Sequence, residues 1–470
     1  MLMPLTFFIL TFCILVLLVV MSYKIRSFKI SREEYFREFG EEDPKKSNIS
    51  TALNNVYALI VITSAALIFS LYIIVKDTIY AGHLMEWLNI VVRLLHITFG
   101  IAWIGASFYF VFLENALNRT ENVREELAGN LWAVHGGGFY YLEKYKIAPS
   151  QIPKHLHWFK YEAYFTWLSG FCLLFIVYYF NASAMLIDKQ VLDISPLAGI
   201  IIGVGSFILA WFIYDLMCKS PLKKNIVLFS VTGLIIATAF AFGYSHIFSG
   251  RAAFIHFGAM LGSIMAANVF FVIIPSQKAM VKAAKDGKFL DPQLGKNALM
   301  RSLHNNYFTL PVLFVMVSNH FPSTFGNKYS WIILIIITIG TAGVKHWLNL
   351  REKGKLSIWI LPSSIVILLA AAFLSAPKSN NAKCESTVSE TEIYAIIQNR
   401  CISCHSDKPT DPAYTAPPNG IAYRNINDVI KLKDRILQRV VITHTMPQNN
   451  KTNMTEEERN IIKCWIEQCK

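Results

Sequence analysis

The sequence predicts an all-α protein. A polytopic transmembrane helical bundle of about ten spans occupies residues 1–376, a linker follows at 377–386, and a small soluble helical domain closes the chain at 387–470. Its 470 residues are 54% hydrophobic and only 16% charged, where an ordinary soluble domain carries roughly 25% charged residues. Up to residue 376 the apolar residues gather in long runs separated by short polar loops, and beyond it they do not. The net charge is +13, yet residues 377–470 hold 13 Lys and Arg against 11 Asp and Glu. A basic excess lodged in the loops of an apolar chain reads as topology and contact with a lipid bilayer. No interleaving of basic and aromatic residues points to nucleic acid.

A span needs about 20 apolar residues. Runs of that kind lie near 4–23, 53–75, 87–113, 162–180, 195–217, 224–244, 252–275, 305–320, 329–349 and 356–376. The run at 305–320 is the weakest, being short and interrupted by Pro311. The first lacks a basic start and a small-residue cleavage site, and its charges follow it in "YKIRSFK", so it reads as an anchor. The basic loops, including 114–161, "CKSPLKKN", "SQKAMVKAAKDGK" and "KHWLNLREKGK", alternate with "NASAMLIDKQVLDISP", "HIFSGR" and "HFPSTFGNK". Ten spans put every basic loop on the inner side and both termini on the outer side.

The closing domain carries "CISCH" at 401–405, the spacing of a c-type haem attachment site. Cys401 and Cys404 would bind a covalent haem c through its vinyl groups, and His405 would ligate the iron. The sixth iron ligand is expected before the last helix. Met446, followed by Pro447, is favoured, with Met454 and His444 as alternatives. Met/His ligation raises a haem potential, which suits an electron acceptor. Ser389 with Glu392 and Thr455 with Glu458 form capping boxes that open the first and last helices of this domain. Terminal helices of that kind packed over a haem make residues 387–470 resemble a small class I cytochrome c. Three cysteines remain, and Cys384 is expected to pair with Cys464 or Cys469 on an oxidising side of the membrane.

Ionisable residues inside spans are functional candidates by default. The outer layer of histidines includes His96 and His256. Arg93, His96 and Trp103 share one helical face at spacings of 3 and 7, and glycines follow both histidines. His96 and His256 are therefore expected to ligate a b-type haem, with Arg93 pairing a propionate; His246 and His320 read as interfacial. The inner layer reads as a reactive pocket. The loop at 131–170 holds "HGGG", many Tyr and Trp, His157, Lys160 and Glu162, and the stretch "RSLHNN" adds Arg301, His304, Asn305 and Asn306. Aromatic, amide and cationic groups together suit a flat, polar, anionic heterocycle. Arg301, Lys160, Asn305 and Asn306 are expected to hold it, with His157, His304 or Glu162 as the proton acceptor.

The stretches "WAVHGGGFYYLEKYKIAPSQIPKHLHWFKYEAYFTW", "HFGAMLGSIMAANVFFVIIPSQ" and "RSLHNNYFTLPVLFVMVSNHFPSTFG", followed by a C-terminal CxxCH domain, resemble the bacterial membrane urate hydroxylases with a fused cytochrome c. The resemblance implies an inner-membrane oxidoreductase, its N-terminus and cytochrome domain periplasmic, that oxidises urate with water to 5-hydroxyisourate. Electrons would pass to the fused cytochrome and on to a respiratory oxidase or soluble cytochrome. It assigns haem roles to Cys401, Cys404, His405 and Met446 alone. The hydrocarbon core is about 30 Å thick, so an inner substrate pocket calls for an intermediate carrier such as the haem b. The rival reading is a respiratory subunit that oxidises quinol through b-type haem and passes electrons to cytochrome c. A transporter or sensor with a regulatory tail would need internal repeats or broken-helix symmetry, which the sequence does not display.

Overall fold

The computed structural model describes residues 2–38, 45–75, 78, 80–149, 151–153, 155–376, 384, 387–411, 414 and 416–468. The linker, apart from Cys384, and the alternative disulfide partner Cys469 lie outside them. The chain divides into a unit at Met1–Trp87 and a unit at Leu88–Lys470. The first contains two long helices packed on each other, α1 (Leu2–Glu38) and α2 (Lys46–Val75), and the start of α3 (Tyr80–Ala116).

The second unit is mostly helical. It continues through α4 (Tyr161–Leu174), α5 (Ala182–Met185), α6 (Pro196–Lys219), α7 (Ile226–Ile247), α8 (Gly250–Ala267), α9 (Ile274–Lys285), α10 (Pro292–Ser318), α11 (Pro322–Phe325), α12 (Ser330–Glu352) and α13 (Ile360–Leu374). A π-helical turn, Asn268–Ile273, joins α8 to α9. Helix starts follow capping chemistry. Ser195 accepts a hydrogen bond from the Ala198 amide ahead of Pro196, Asn225 from Val227 and Leu228, and Asp291 from Gln293. The main core is formed by α4 to α8, α10 and α12, around Phe248, Phe254, Phe257 and Leu334.

Every expected span falls on a helix. Among the described residues, eight helices are long and apolar enough to cross a membrane. The two that fall short are α10 and α13. α10 runs 27 residues through Pro311 but carries buried Arg301, Asn305, Asn306 and Thr309, which lower its apolar character because they face protein. α13 has 15 residues.

One expectation is corrected. The chain is not all-α, because the loop after α3 contains an antiparallel hairpin, β1 (Leu127–His135) paired with β2 (Gly138–Tyr145). Gly136 and Gly137 take φ of 57° and 80°, the left-handed values that a tight two-residue hairpin turn requires. The Trp, Val, Phe and Tyr flanking "HGG" favour strand over helix. Trp132, Val134, Phe139, Tyr140 and Tyr141 are exposed on it.

The C-terminal segment holds α14 (Glu390–Arg400), α15 (Ile426–Lys431), α16 (Lys433–Ile436) and α17 (Glu456–Gln468) around its own core of Ile393, Ile397, Val429, Met454, Ile462, Trp465 and Ile466. Ser389 caps α14 through the Glu392 amide. The box at α17 forms both ways: Thr455 Oγ1 accepts from the Glu458 amide, and Glu458 Oε2 accepts from the Thr455 amide. Cys384 is disulfide-bonded to Cys464.

Candidate functional site

α6, the turn after α8, and α10 converge on a buried polar network. Arg301 donates from Nη2 to Asp215 Oδ1 at 2.6 Å and from Nη1 to Asn268 Oδ1 at 3.2 Å. Asp215 also pairs with Lys219 one turn along α6, at 2.6 Å. Asn268 Nδ2 reaches Asn305 Oδ1 at 2.8 Å and the Tyr214 hydroxyl at 3.2 Å. The same hydroxyl meets His304 Nδ1 at 2.8 Å, while the His304 ring stacks on Phe229. Arg301 lies over the Tyr214 ring, 4.9 Å from its centroid. A buried charge is tolerated only when paired and hydrogen-bonded, and this network meets that condition.

The sequence-predicted pocket residues therefore separate. Arg301, His304 and Asn305 come together, but their polar atoms are largely engaged with protein; Asn305 also donates to the Met265 carbonyl. His157 is exposed beside Phe159, and Lys160 sits over the Tyr161 ring. Among the described residues, no hydrogen bond or ion pair joins either to the network. Glu162, at the start of α4, has a buried Oε2 with no hydrogen-bond partner.

Asn306 faces α12 instead. Its Oδ1 accepts from Asn349 Nδ2 at 3.1 Å, while Asn306 Nδ2 and Asn349 Oδ1 are buried without partners. One turn back on α12, Lys345 is 1% exposed, its Nζ 3.8 Å from the centroid of the Phe108 ring. Sequence reasoning missed Lys345 and Asn349 by reading "KHWLNLREKGK" as an inner loop, and missed Asp215 by weighing histidines ahead of other ionisable residues. The signal was present in both places: a Lys and an Asp each followed an apolar run within a span.

The outer histidines do not form the expected pair. His256 is fully buried with both ring nitrogens engaged, Nε2 with the Tyr179 hydroxyl at 3.0 Å and Nδ1 with the Ala252 carbonyl at 2.8 Å. His96 holds the Thr166 carbonyl and Ser169 hydroxyl through Nδ1, at 3.0 and 3.2 Å. It lines a cavity of about 400 Å³ with Arg93, Gly100, Trp103, Trp167 and His320, and His256 is not part of that lining. A b-type haem held between His96 and His256 does not fit this arrangement.

In the C-terminal segment, Cys401 and Cys404 are free thiols half-buried at the end of α14. Burial pushes the Cys401 thiol up to about 12, and raises that of Cys404 as well. His405 Nδ1 bonds to the Ile421 carbonyl at 3.0 Å, which orients the ring and directs Nε2 away from that bond. Burial lowers the His405 pKa. Cys401 and Met446 pack against one core. Of the alternatives to Met446, Met454 lies inside that core, and His444 is exposed and faces Glu456 at 3.5 Å. Pro447 follows Met446 through a cis peptide bond.

The segment docks on the loops that follow α4 and α10 through the residues beyond Met446. Gln448 Nε2 donates to the Ala184 carbonyl at 2.7 Å, and Asn449 Nδ2 to those of Ala184 and Ile187 at 3.0 and 2.6 Å. Gly326 lies against Thr443 and Thr445 with no room for a Cβ. A polar cleft of about 370 Å³ opens at this junction, lined among others by His246, Arg251, Lys328, His444 and Arg459.

Fold and site together define a predominantly helical protein with membrane-length helices and a buried charged interior. The chain matches the urate oxidase N-terminal family over residues 82–376. That match spans more than half of its length, and the chain belongs to this family. Membership points to urate-related oxidation and to an oxidoreductase. No curated protein and no solved structure matches the chain.

Proposed function

We propose that this protein oxidises urate within the membrane and passes the electrons to a covalent haem c on its C-terminal segment. The observation that carries this reading is the docking of the loop beyond Met446 onto the family-matched part of the chain, through Gln448 and Asn449. The CxxCH segment is thereby held against the part that belongs to the urate-oxidising family.

The residues present fit the group. Cys401 and Cys404 are unpaired thiols at the attachment spacing, His405 is oriented by Ile421, and Met446 borders the same core. When bound, such a haem supplies a one-electron acceptor whose potential is raised by Met/His ligation. The overall change is urate + H₂O → 5-hydroxyisourate + 2 H⁺ + 2 e⁻. A bond forms between the water oxygen and C5, and the two electrons leave in succession toward a respiratory oxidase or soluble cytochrome.

Within the chain, a proton acceptor eases the loss of electrons from the purine. Of the three groups considered, Glu162 fits best, because its buried Oε2 has no donor and accepts a ring N–H or water proton. His304 Nδ1 is held by Tyr214, and His157 is exposed. A b-type haem in the membrane part would have His96 and His320 as the histidines lining its cavity, with Arg93 in the same lining.

The test is an anaerobic visible spectrum of the intact protein in detergent or nanodiscs. Adding urate reduces the c-type band with a stoichiometry of two haems per urate, and quinol does not reduce it. A c-type band that stays oxidised with urate, or that responds to quinol alone, defeats the proposal in favour of the quinol-oxidising reading.

A further inference from the structure

Among the described residues, five buried side-chain atoms lack a hydrogen-bond partner, on Glu162, Ser245, Asn306, Asn349 and Arg459. Ser245 and Arg459 line the polar cleft at the docking junction. Asn306 and Asn349 are already bonded to each other by one edge, the Tyr307 side chain lies within hydrogen-bond reach of Asn349, and each amide keeps one buried atom without a partner: a donor on Asn306, an acceptor on Asn349. Lys345 stands one turn from Asn349 on the same face of α12, 1% exposed, with its Nζ over the Phe108 ring and within the field of Glu352 two turns along the helix, but with no hydrogen bond or ion pair among the described residues.

A buried ammonium with no hydrogen-bonded counter-ion is unfavourable, and so is each orphaned amide atom. The three are relieved together by one kind of molecule. It carries a negative charge, which rests at Lys345 Nζ. It also carries an adjacent N–H and C=O, which donate to Asn349 Oδ1 and accept from Asn306 Nδ2. That is the edge of a planar cyclic lactam or imide anion. All the residues concerned lie within the family-matched part of the chain, where a site shared by the family must lie.

We propose that Lys345, Asn306 and Asn349 form the seat that binds the anionic lactam edge of the substrate. This rests on the urate-oxidising reading and adds the location and the chemical form recognised. It also changes the anticipated roles: Arg301 and Asn305 brace the helices around the seat, and Asn306 is the one residue of the expected set that touches substrate.

The experiment uses the full chain, reduced with dithionite so that bound urate is not turned over. Urate binding is measured by equilibrium dialysis, and unfolding by a thermal melt without ligand. The Lys345→Met variant binds urate roughly thirtyfold or more weakly, because one partner of a buried charge pair is lost. Its ligand-free melting temperature rises, because a buried charge with no hydrogen-bonded partner is gone, and the attraction of Glu352 offsets only part of the cost of burying it. Asn349→Leu weakens binding while Lys345 is retained, and gives a second reading if Lys345→Met does not fold. Binding by either variant within twofold of wild type overturns the seat, as does loss of binding by Lys345→Met together with a lowered melting temperature. If the oxidised wild-type protein fails to oxidise urate, the functional reading falls and the seat with it. If it oxidises urate while the variants bind normally, only the seat falls.

Discussion

His96 and His256 look alike in the sequence, each an outer-half histidine followed by glycines. Their surroundings differ completely. His256 is hydrogen-bonded at both nitrogens and packed beneath Gly203, where an added Cβ would stand 2.8 Å from His256 Nε2 and Tyr179 Oη. The other polar residues divide by the same criterion: Asn305 has both ends of its amide engaged, whereas Asn306 does not. Glu162 belongs with the unsatisfied groups. Replacing it by Gln keeps its shape and removes its basicity. Glu162→Gln is expected to lower the urate-driven rate of haem reduction about 10²–10⁴-fold, with urate affinity of the reduced protein little changed. Stopped-flow reduction under anaerobic conditions, set beside equilibrium dialysis, separates the two effects.

Helix-to-helix approach depends on small residues at the crossings. α6 passes over the His256–Tyr179 pair at Gly203, and α8 meets Val315 of α10 at Gly258. Gly203→Ala forces a methyl into a filled space and is expected to destabilise the protein by roughly 1–3 kcal/mol. A thermal melt in detergent reads this directly, and an unchanged melting temperature would mean that α6 can shift without cost. The hairpin β1–β2 was legible in principle, since two glycines bracketed by strand-forming residues are a local turn signal. The aromatic content of the loop competes with that signal, because it equally suits a pocket. Those aromatic side chains are exposed on the strands, and the polar interior is built from helices α6, α8, α10 and α12.

At the scale of the second unit, charge and contacts agree. The loops predicted to lie on the outer side include those at 181–196, 246–251 and 320–328. They contain Ala184, Ile187, Arg251 and Gly326, which meet or line the junction with the C-terminal segment. The tail thus contacts the helix ends that the charge pattern predicts to lie outside. The double variant Gln448→Ala, Asn449→Ala removes three hydrogen bonds to backbone carbonyls. At about 1 kcal/mol each, their loss weakens docking by roughly a hundredfold. Slower reduction of haem c by urate is the expected result, with urate binding to the reduced protein unaltered. A rate equal to wild type would show that this contact does not govern electron delivery.

The long apolar runs, the helix starts, the capping box at α17 and the CxxCH segment are legible in the linear chain, because each is written within a single element. Family membership rests on longer stretches of the same linear information. Which polar groups are already satisfied is fixed by the packing of the helices. Whether His256 is bonded, whether Lys345 is solvated or enclosed, and which face of α10 meets α12 depend on helix rotation and on partners tens of residues away. The free energy of a buried polar atom is set by those partners, and residue type does not specify them.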